Sequence, residues 1–222
     1  MSVVRLGLFS IALLVFPLVF HSSSEGAGKI RIMPFGNSIT SGVIYSYSPF
    51  AARPSYRYWL WKELVDAGLD SGVDFVGSVR GFHEGDSLPR EYEDFDSDFE
   101  AYPGAPIRVL SSILPTALLR HSPDIVLLEV GTNDVGGALS EVSAGIESLV
   151  DTIQAMNHNA TILLGNVLPL SGSGDLVPQL NAEIAAIVIR KNRRESPVIL
   201  VDHYSLVTFQ DLFDGVHPTE SG

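Results

Sequence analysis

Three short stretches carry side chains that can do chemistry together. "FGNSIT" holds Ser38 between Asn37 and Ile39, "GTND" runs from Gly131 to Asp134, and "DGVHPT" sets Asp214 three residues before His217. A serine hydroxyl is a weak nucleophile until a base takes its proton. Of the six histidines, only His217 has a carboxylate three positions earlier. A turn or short helical segment brings such positions together, so Asp214 can hold one imidazole nitrogen while the other faces Ser38. Attack on a carbonyl then makes an oxyanion that needs donors. The Ser38 N–H and the Asn133 amide qualify. A glycine whose backbone approaches the substrate is the third, and Gly104 in "AYPGAP" is the candidate.

Each stretch also has a plainer reading. Ser38 and Thr40 can cap a turn or helix, and "GTND" and "DGVHP" are rich in turn residues. The remaining histidines are weaker candidates for the base by their placement. His203 adjoins Asp202, but neighbouring strand residues point to opposite faces. His83 lies beside Glu84 in a polar loop, and His121 sits where a helix ends and the helix dipole favours a cation. "EDFDSDFE" places Asp94, Asp96, Asp98 and Glu100 at alternate positions. Phe99 stands where an EF-hand needs glycine and Ala105 where it needs glutamate, so a solvated acidic loop is expected and no metal.

The elements that must position these residues alternate between strand and helix. "KIRIMPF", "VDFVGS", "DIVLLEV", "TILLGNVL" and "VILVD" read as strands. "PSYRYWLWKELVDAG" reads as a helix with Pro54 in its first turn and Leu60, Trp61, Leu64 and Val65 on one face. "IRVLSSILPTALLRH" is a helix that Pro115 is expected to kink or divide. Leu139, Val142, Ile146, Leu149, Val150, Ile153 and Met156 form the clearest apolar stripe. A further helix spans about Leu180 to Arg193, and a long polar loop fills roughly Val79 to Gly104. This alternation implies parallel strands with right-handed crossovers. The expected fold class is α/β, a three-layer α/β/α sandwich on a five-stranded parallel sheet of flavodoxin-like order 2-1-3-4-5. Sites in such sheets form past the strand C-termini where the winding reverses, which is between strands 1 and 3. Ser38 follows the first and "GTND" the third.

The whole chain sets the outer bounds. It has 222 residues, no cysteine, 45% hydrophobic residues and a formal net charge of −12. That suits one domain and argues against both disorder and nucleic-acid binding. "RKNRR" (Arg190–Arg194) ends a helix, where the dipole favours it. Leu6 to Phe20 is uncharged, follows Arg5 and precedes "HSSSEGAG". This is the grammar of a signal peptide over residues 1–27, leaving a domain over 28–222, an extracellular product and no stable membrane insertion after cleavage. Asn159-Ala160-Thr161 is a glycosylation sequon.

Taken together, the chain resembles the SGNH, or GDSL-type, hydrolases. "FGNSIT" is similar to the first block with Ser38 as nucleophile, "YPG" to the second with Gly104, and "GTND" to the third with Asn133. "DGVHPT" is similar to the last block, with Asp214 and His217 completing the triad. "IRIMPFGNSIT", "YRYWLWKELVDAG" and "DIVLLEVGTNDV" resemble the secreted carbohydrate-esterase branch that includes acetylxylan esterases. Three departures stand out. Asn37 occupies a position usually held by Asp, "DFEAYPG" precedes the glycine without the branch's "HEG", and the sequence stops five residues after His217, without the usual C-terminal helix. The resemblance implies a serine esterase, with no cofactor, acting on O-acetyl groups of plant-wall polysaccharide or on small esters, as a monomer. Tyr45 and Tyr47, after the nucleophile, are the candidate substrate contacts. A lipid or aryl esterase of the same fold, and a catalytically weak glycan-binding relative, are the alternative readings.

Overall fold

The computed structural model describes residues 28–42, 55–81 and 92–219. Tyr45, Tyr47, Pro54, His83, Glu84 and the proposed signal segment lie outside them. The sheet has seven strands rather than the expected five, and the five expected parallel ones are β1 (Ile30–Gly36), β2 (Val73–Phe75), β5 (Ile125–Glu129), β6 (Thr161–Gly165) and β7 (Val198–Val201). β1 pairs with β2 on one side and β5 on the other, and β6 and β7 follow outward from β5. The expected neighbours are therefore all present.

The polar loop expected before Gly104 is partly sheet. β3 (Val79–Arg80) pairs antiparallel with β4 (Asp98–Ala101), and β4 pairs parallel with the last residues of β1. The full order is thus β3-β4-β1-β5-β6-β7, with β2 on the same side of β1 as β4. Of the four alternating acids only Asp94 is exposed in a turn; the other three are engaged by the sheet. Glu100 is buried and accepts from Ser78 N–H and the Tyr102 hydroxyl. Asp96 accepts from Phe75 N–H, and Asp98 pairs with Arg80. Their two-residue period belongs to an extended segment that ends in β4.

Strand side chains alternate between two cores. Met33, Phe35, Val126, Leu128, Ile162 and Leu164 pack under three helices, α3 (Ile107–His121), α4 (Leu139–Met156) and α5 (Leu176–Lys191). Ile32, Val73, Phe75, Ile125 and Leu127 face α2 (Tyr56–Asp66). The three-layer sandwich is thus uneven among the described residues. α3 runs uninterrupted through Pro115, so the proline's missing N–H costs one helical bond without dividing the helix. The stripe of α4 is buried only in its middle, at Ile146, Leu149, Val150 and Ile153, while Leu139 and Met156 reach solvent. On α2 the inward residues are Arg57, Leu60 and Leu64; Val65 is exposed, and Trp61 lies half-buried with its Nε1–H donating to the Asp94 carbonyl. At the end of α5, Arg190 and Lys191 reach Glu147 and Asp151 of α4. That gives the basic run partners as well as a favourable dipole.

Candidate active site

The register of the sheet assembles the site. Gly36 at the end of β1 is the Cα partner of Ala101 on β4 and of Glu129 on β5. Ser38, Gly104 and Asn133 follow those three positions within a few residues, so parallel pairing delivers all three loops to one end of the sheet. Ser38 opens a one-turn helix, α1 (Ser38–Ser41), whose N-cap Asn37 accepts from Ile39 N–H through Oδ1 at 2.9 Å. The first N–H groups of a helix have no intrahelical acceptor, which leaves the Ser38 N–H available.

Asp214, His217 and Ser38 form a continuous hydrogen-bonded chain. Asp214 Oδ2 lies 2.8 Å from His217 Nδ1, and His217 Nε2 lies 2.8 Å from Ser38 Oγ. An ionised carboxylate only accepts, so Nδ1 carries the proton and Nε2 is free to accept from the Ser38 hydroxyl. Burial raises the Asp214 pKa, but the His217 N–H, the imidazole and the Val216 N–H outweigh it and hold the value at about 2. The second carboxylate oxygen takes both backbone bonds, at 2.8 and 3.0 Å. The loop itself is pinned at several points. Leu212 bridges to Pro218, Gly215 accepts from Ser171 N–H at 2.9 Å, and the Phe213 ring stacks on His217 at 24°.

The candidate donors are tied to one another. Tyr102 N–H donates to Gly36 at 3.0 Å, and Ala105 N–H closes a turn onto Tyr102 with Gly104 at φ +72°. Pro103 in that turn followed by a glycine at positive φ is the type II arrangement. Asn133 donates one amide hydrogen to the Ala105 carbonyl at 3.1 Å and keeps the other. Gly104 lies just past β4, which sits on the same side of β1 as β2. A groove of about 520 Å³ opens beside Asn133 between α3 and α4, with Arg108, Ser111, Asp134 and Glu141 on its walls.

A buried acid, Glu129, lies beneath the turn that carries Ser38 and has no role among the residues singled out in the sequence. Burial pushes the Glu129 carboxyl up to about 7; Thr132 Oγ1 donates to it at 3.4 Å. His203 is likewise held neutral by burial, down to about 4, with Tyr56 tilted over it at 6.1 Å. The Tyr56 hydroxyl is 3.4 Å from Thr40 Oγ1 on α1. A lone acid closing the apolar run "DIVLLE" was the available signal. Arg57 was the other residue passed over, although it interrupts the apolar face of α2 at the spacing of Leu60 and Leu64. His121, read as a helix-end residue, is indeed in the last turn of α3 and contacts Ser78.

An α/β/α fold that gathers a serine, an imidazole and candidate amide donors at its strand ends is an arrangement suited to ester hydrolysis. Residues 35–222 match the profile of the GDSL-like Lipase/Acylhydrolase family, and the chain belongs to that family of esterases. A multidomain esterase of Ruminococcus flavefaciens is 32% identical over 90% of this chain. This chain spans only 28% of that protein. Among solved structures, a family 3 carbohydrate esterase of Clostridium thermocellum is 31% identical, with a TM-score of 0.69 over 86% of this chain and 88% of that one. A family 3 carbohydrate esterase of Talaromyces cellulolyticus is 26% identical, with a TM-score of 0.71 over the same shares.

Proposed function

We propose that this protein is a secreted serine esterase that removes O-acetyl groups from plant-wall polysaccharide. The observation that carries the reading is the Asp214–His217–Ser38 chain, with both links at 2.8 Å. Ser38 Oγ attacks the ester carbonyl while His217 Nε2 takes its proton. The negative charge that moves onto the carbonyl oxygen is held by the Ser38 N–H, the Gly104 N–H and the free Asn133 amide hydrogen. The imidazolium gives its proton to the departing sugar oxygen, leaving an acetyl-serine. A water, deprotonated by the same nitrogen, attacks that ester, acetate leaves and Ser38 recovers its hydrogen. Asp214 stays ionised throughout and favours the imidazolium.

The carbohydrate-esterase relatives support the carbohydrate part of this reading, and a solved acetyl esterase that is 26% identical supports the acetyl part. Tyr45 and Tyr47 are the further substrate contacts. The signal-like segment over 1–27 supports secretion. Acetate release from acetylated xylan, measured with p-nitrophenyl esters from acetate to octanoate, tests the substrate. Activity rising toward octanoate removes the acetyl-esterase reading in favour of a lipid esterase. Fluorophosphonate labelling, lost in Ser38→Ala, tests the nucleophile. A folded protein with neither labelling nor ester turnover leaves the glycan-binding reading instead.

A further inference from the structure

Arg57 is fully buried on α2 and carries a positive charge into the core. Its donors go to backbone carbonyls rather than to a carboxylate. Nε donates to Thr40 O at 2.7 Å and to Ser55 Oγ at 3.0 Å. Nη2 donates to Ser41 O and to Gly81 O, both at 2.8 Å, and Nη1 donates to Ser97 O at 3.0 Å. The guanidinium also lies 3.9 Å from the centre of the Phe99 ring. Burial pulls its pKa down to about 9, with Tyr56 and Asp98 acting the other way, so it stays charged at neutral pH.

The bonded carbonyls belong to two separate parts of the site. Thr40 and Ser41 end α1, the turn that begins with Ser38. A single helical turn has almost no stability of its own, because nucleation is unfavourable and little propagation follows. Its last carbonyls need outside donors, and Arg57 supplies them. Gly81 follows β3, and Ser97 precedes β4, the strand that leads into Gly104. A planar guanidinium offers five donors in a fixed fork, so it sets angles as well as distances between its acceptors. A lysine ammonium has three donors on a flexible stem and cannot do both.

We propose that Arg57 is a positioning residue for ester hydrolysis, holding the nucleophile turn and β4 together so that the Ser38 and Gly104 N–H groups keep the spacing an oxyanion requires. The inference rests on the triad and oxyanion roles proposed above. Donors placed for the transition state affect the rate of the chemical step more than ground-state binding. Loss of Arg57 therefore lowers kcat with little change in KM, whereas a merely structural residue lowers the melting temperature or the amount of folded protein and leaves kcat per folded molecule intact.

The test uses the full chain, p-nitrophenyl acetate and a methylboronic acid as an oxyanion analogue. Wild-type turnover that disappears in Ser38→Ala establishes the nucleophile. Its absence overturns the triad reading and this inference with it. Given that turnover, folded Arg57→Lys is expected to lose at least about 10-fold in kcat, with KM within about 3-fold and a parallel loss in boronate affinity. Guanidinium ion is expected to restore part of the rate to Arg57→Ala. A wild-type kcat in folded Arg57→Lys, or a change in KM alone, overturns the proposal while leaving the triad standing. Where neither Arg57 variant folds, Ser55→Ala decides. It removes one acceptor that orients the guanidinium, and a several-fold drop in kcat at constant KM supports the role, whereas an unchanged kcat overturns it.

Discussion

Ser38 and His217 stand 179 positions apart in sequence, and their Oγ and Nε2 atoms stand 2.8 Å apart in space. Nothing local joins them. The contact exists because β1 ends where α1 begins, and because the loop from Asp211 to Thr219 is folded back over that end. Thr219 N–H bonds Asp211 at 2.7 Å, and the Leu212–Pro218 bridge closes the loop beneath it.

Asp214→Asn keeps the shape of that chain and removes its charge. The amide can place an N–H against Nδ1 and favour the wrong tautomer. On the triad mechanism, kcat falls about 10³- to 10⁴-fold with little change in folding. Wild-type Asp214 is held at about 2, so its protonation does not set the acid limb of a pH–rate profile above pH 3. A folded Asp214→Asn protein that keeps the wild-type kcat would contradict this assignment.

Asn133→Ala removes the side-chain donor and the tie to the Ala105 carbonyl. A single oxyanion donor is worth about 10²- to 10³-fold in kcat. Steady-state kinetics on p-nitrophenyl acetate should show that loss with fluorophosphonate labelling slowed as well. An effect confined to KM would remove Asn133 from the oxyanion hole and leave it a role in ground-state binding alone.

Gly215→Ala tests the loop that carries the base. Gly215 has φ +82°, where a side chain is strained, and an added Cβ would fall 2.7 Å from the Ser171 Cβ. The loop must shift, and the His217–Ser38 bond with it. Activity is expected to drop by about 10-fold or more while the melting temperature changes by only a few degrees, since the loop lies outside both cores. Unchanged kinetics would mean that the loop adjusts without moving the imidazole.

Glu129→Gln tests the buried acid through stability. The folded value of about 7 lies above the ordinary 4.5. Below 4.5 the group is neutral in both states and its full contribution is present. Between 4.5 and 7 the unfolded chain gives up the proton while the folded chain keeps it, so stability falls as pH rises, by an amount on the order of 3 kcal/mol. His203 acts in the opposite direction. Its folded value of about 4 lies below 6.5, so its contribution is lost as pH falls from 6.5 toward 4. Both proteins keep His203, and the difference between them isolates Glu129. Urea unfolding at pH 4.5 and pH 7.5 should show the wild type losing more stability than Glu129→Gln. Equal losses would mean that Glu129 has the same pKa in the folded and unfolded chains.

Much of this protein was written in local patterns. Strand runs, helix stripes and turn residues are short-range features, and they set the five parallel strands, the four long helices and the loops that bear Ser38, Asn133, Asp214 and His217. Period and spacing suffice for that, because backbone geometry repeats every two or 3.6 residues. Other features arise only between elements distant in the chain. The "EDFDSDFE" acids read as solvated until β4 found β1 and β3. Arg57 has no role visible in the helix pattern, and gains one only where the carbonyls of Thr40, Ser41, Gly81 and Ser97 meet its guanidinium. Glu129 became an acid with a raised pKa only when α2 and the turn around His203 closed over it and excluded water. The sequence alone determined which residues could act as nucleophile, base and donor, because chemistry resides in side-chain types. The tertiary structure decided which of them meet and what charge each carries there, because distance and burial are properties of packing rather than of sequence order.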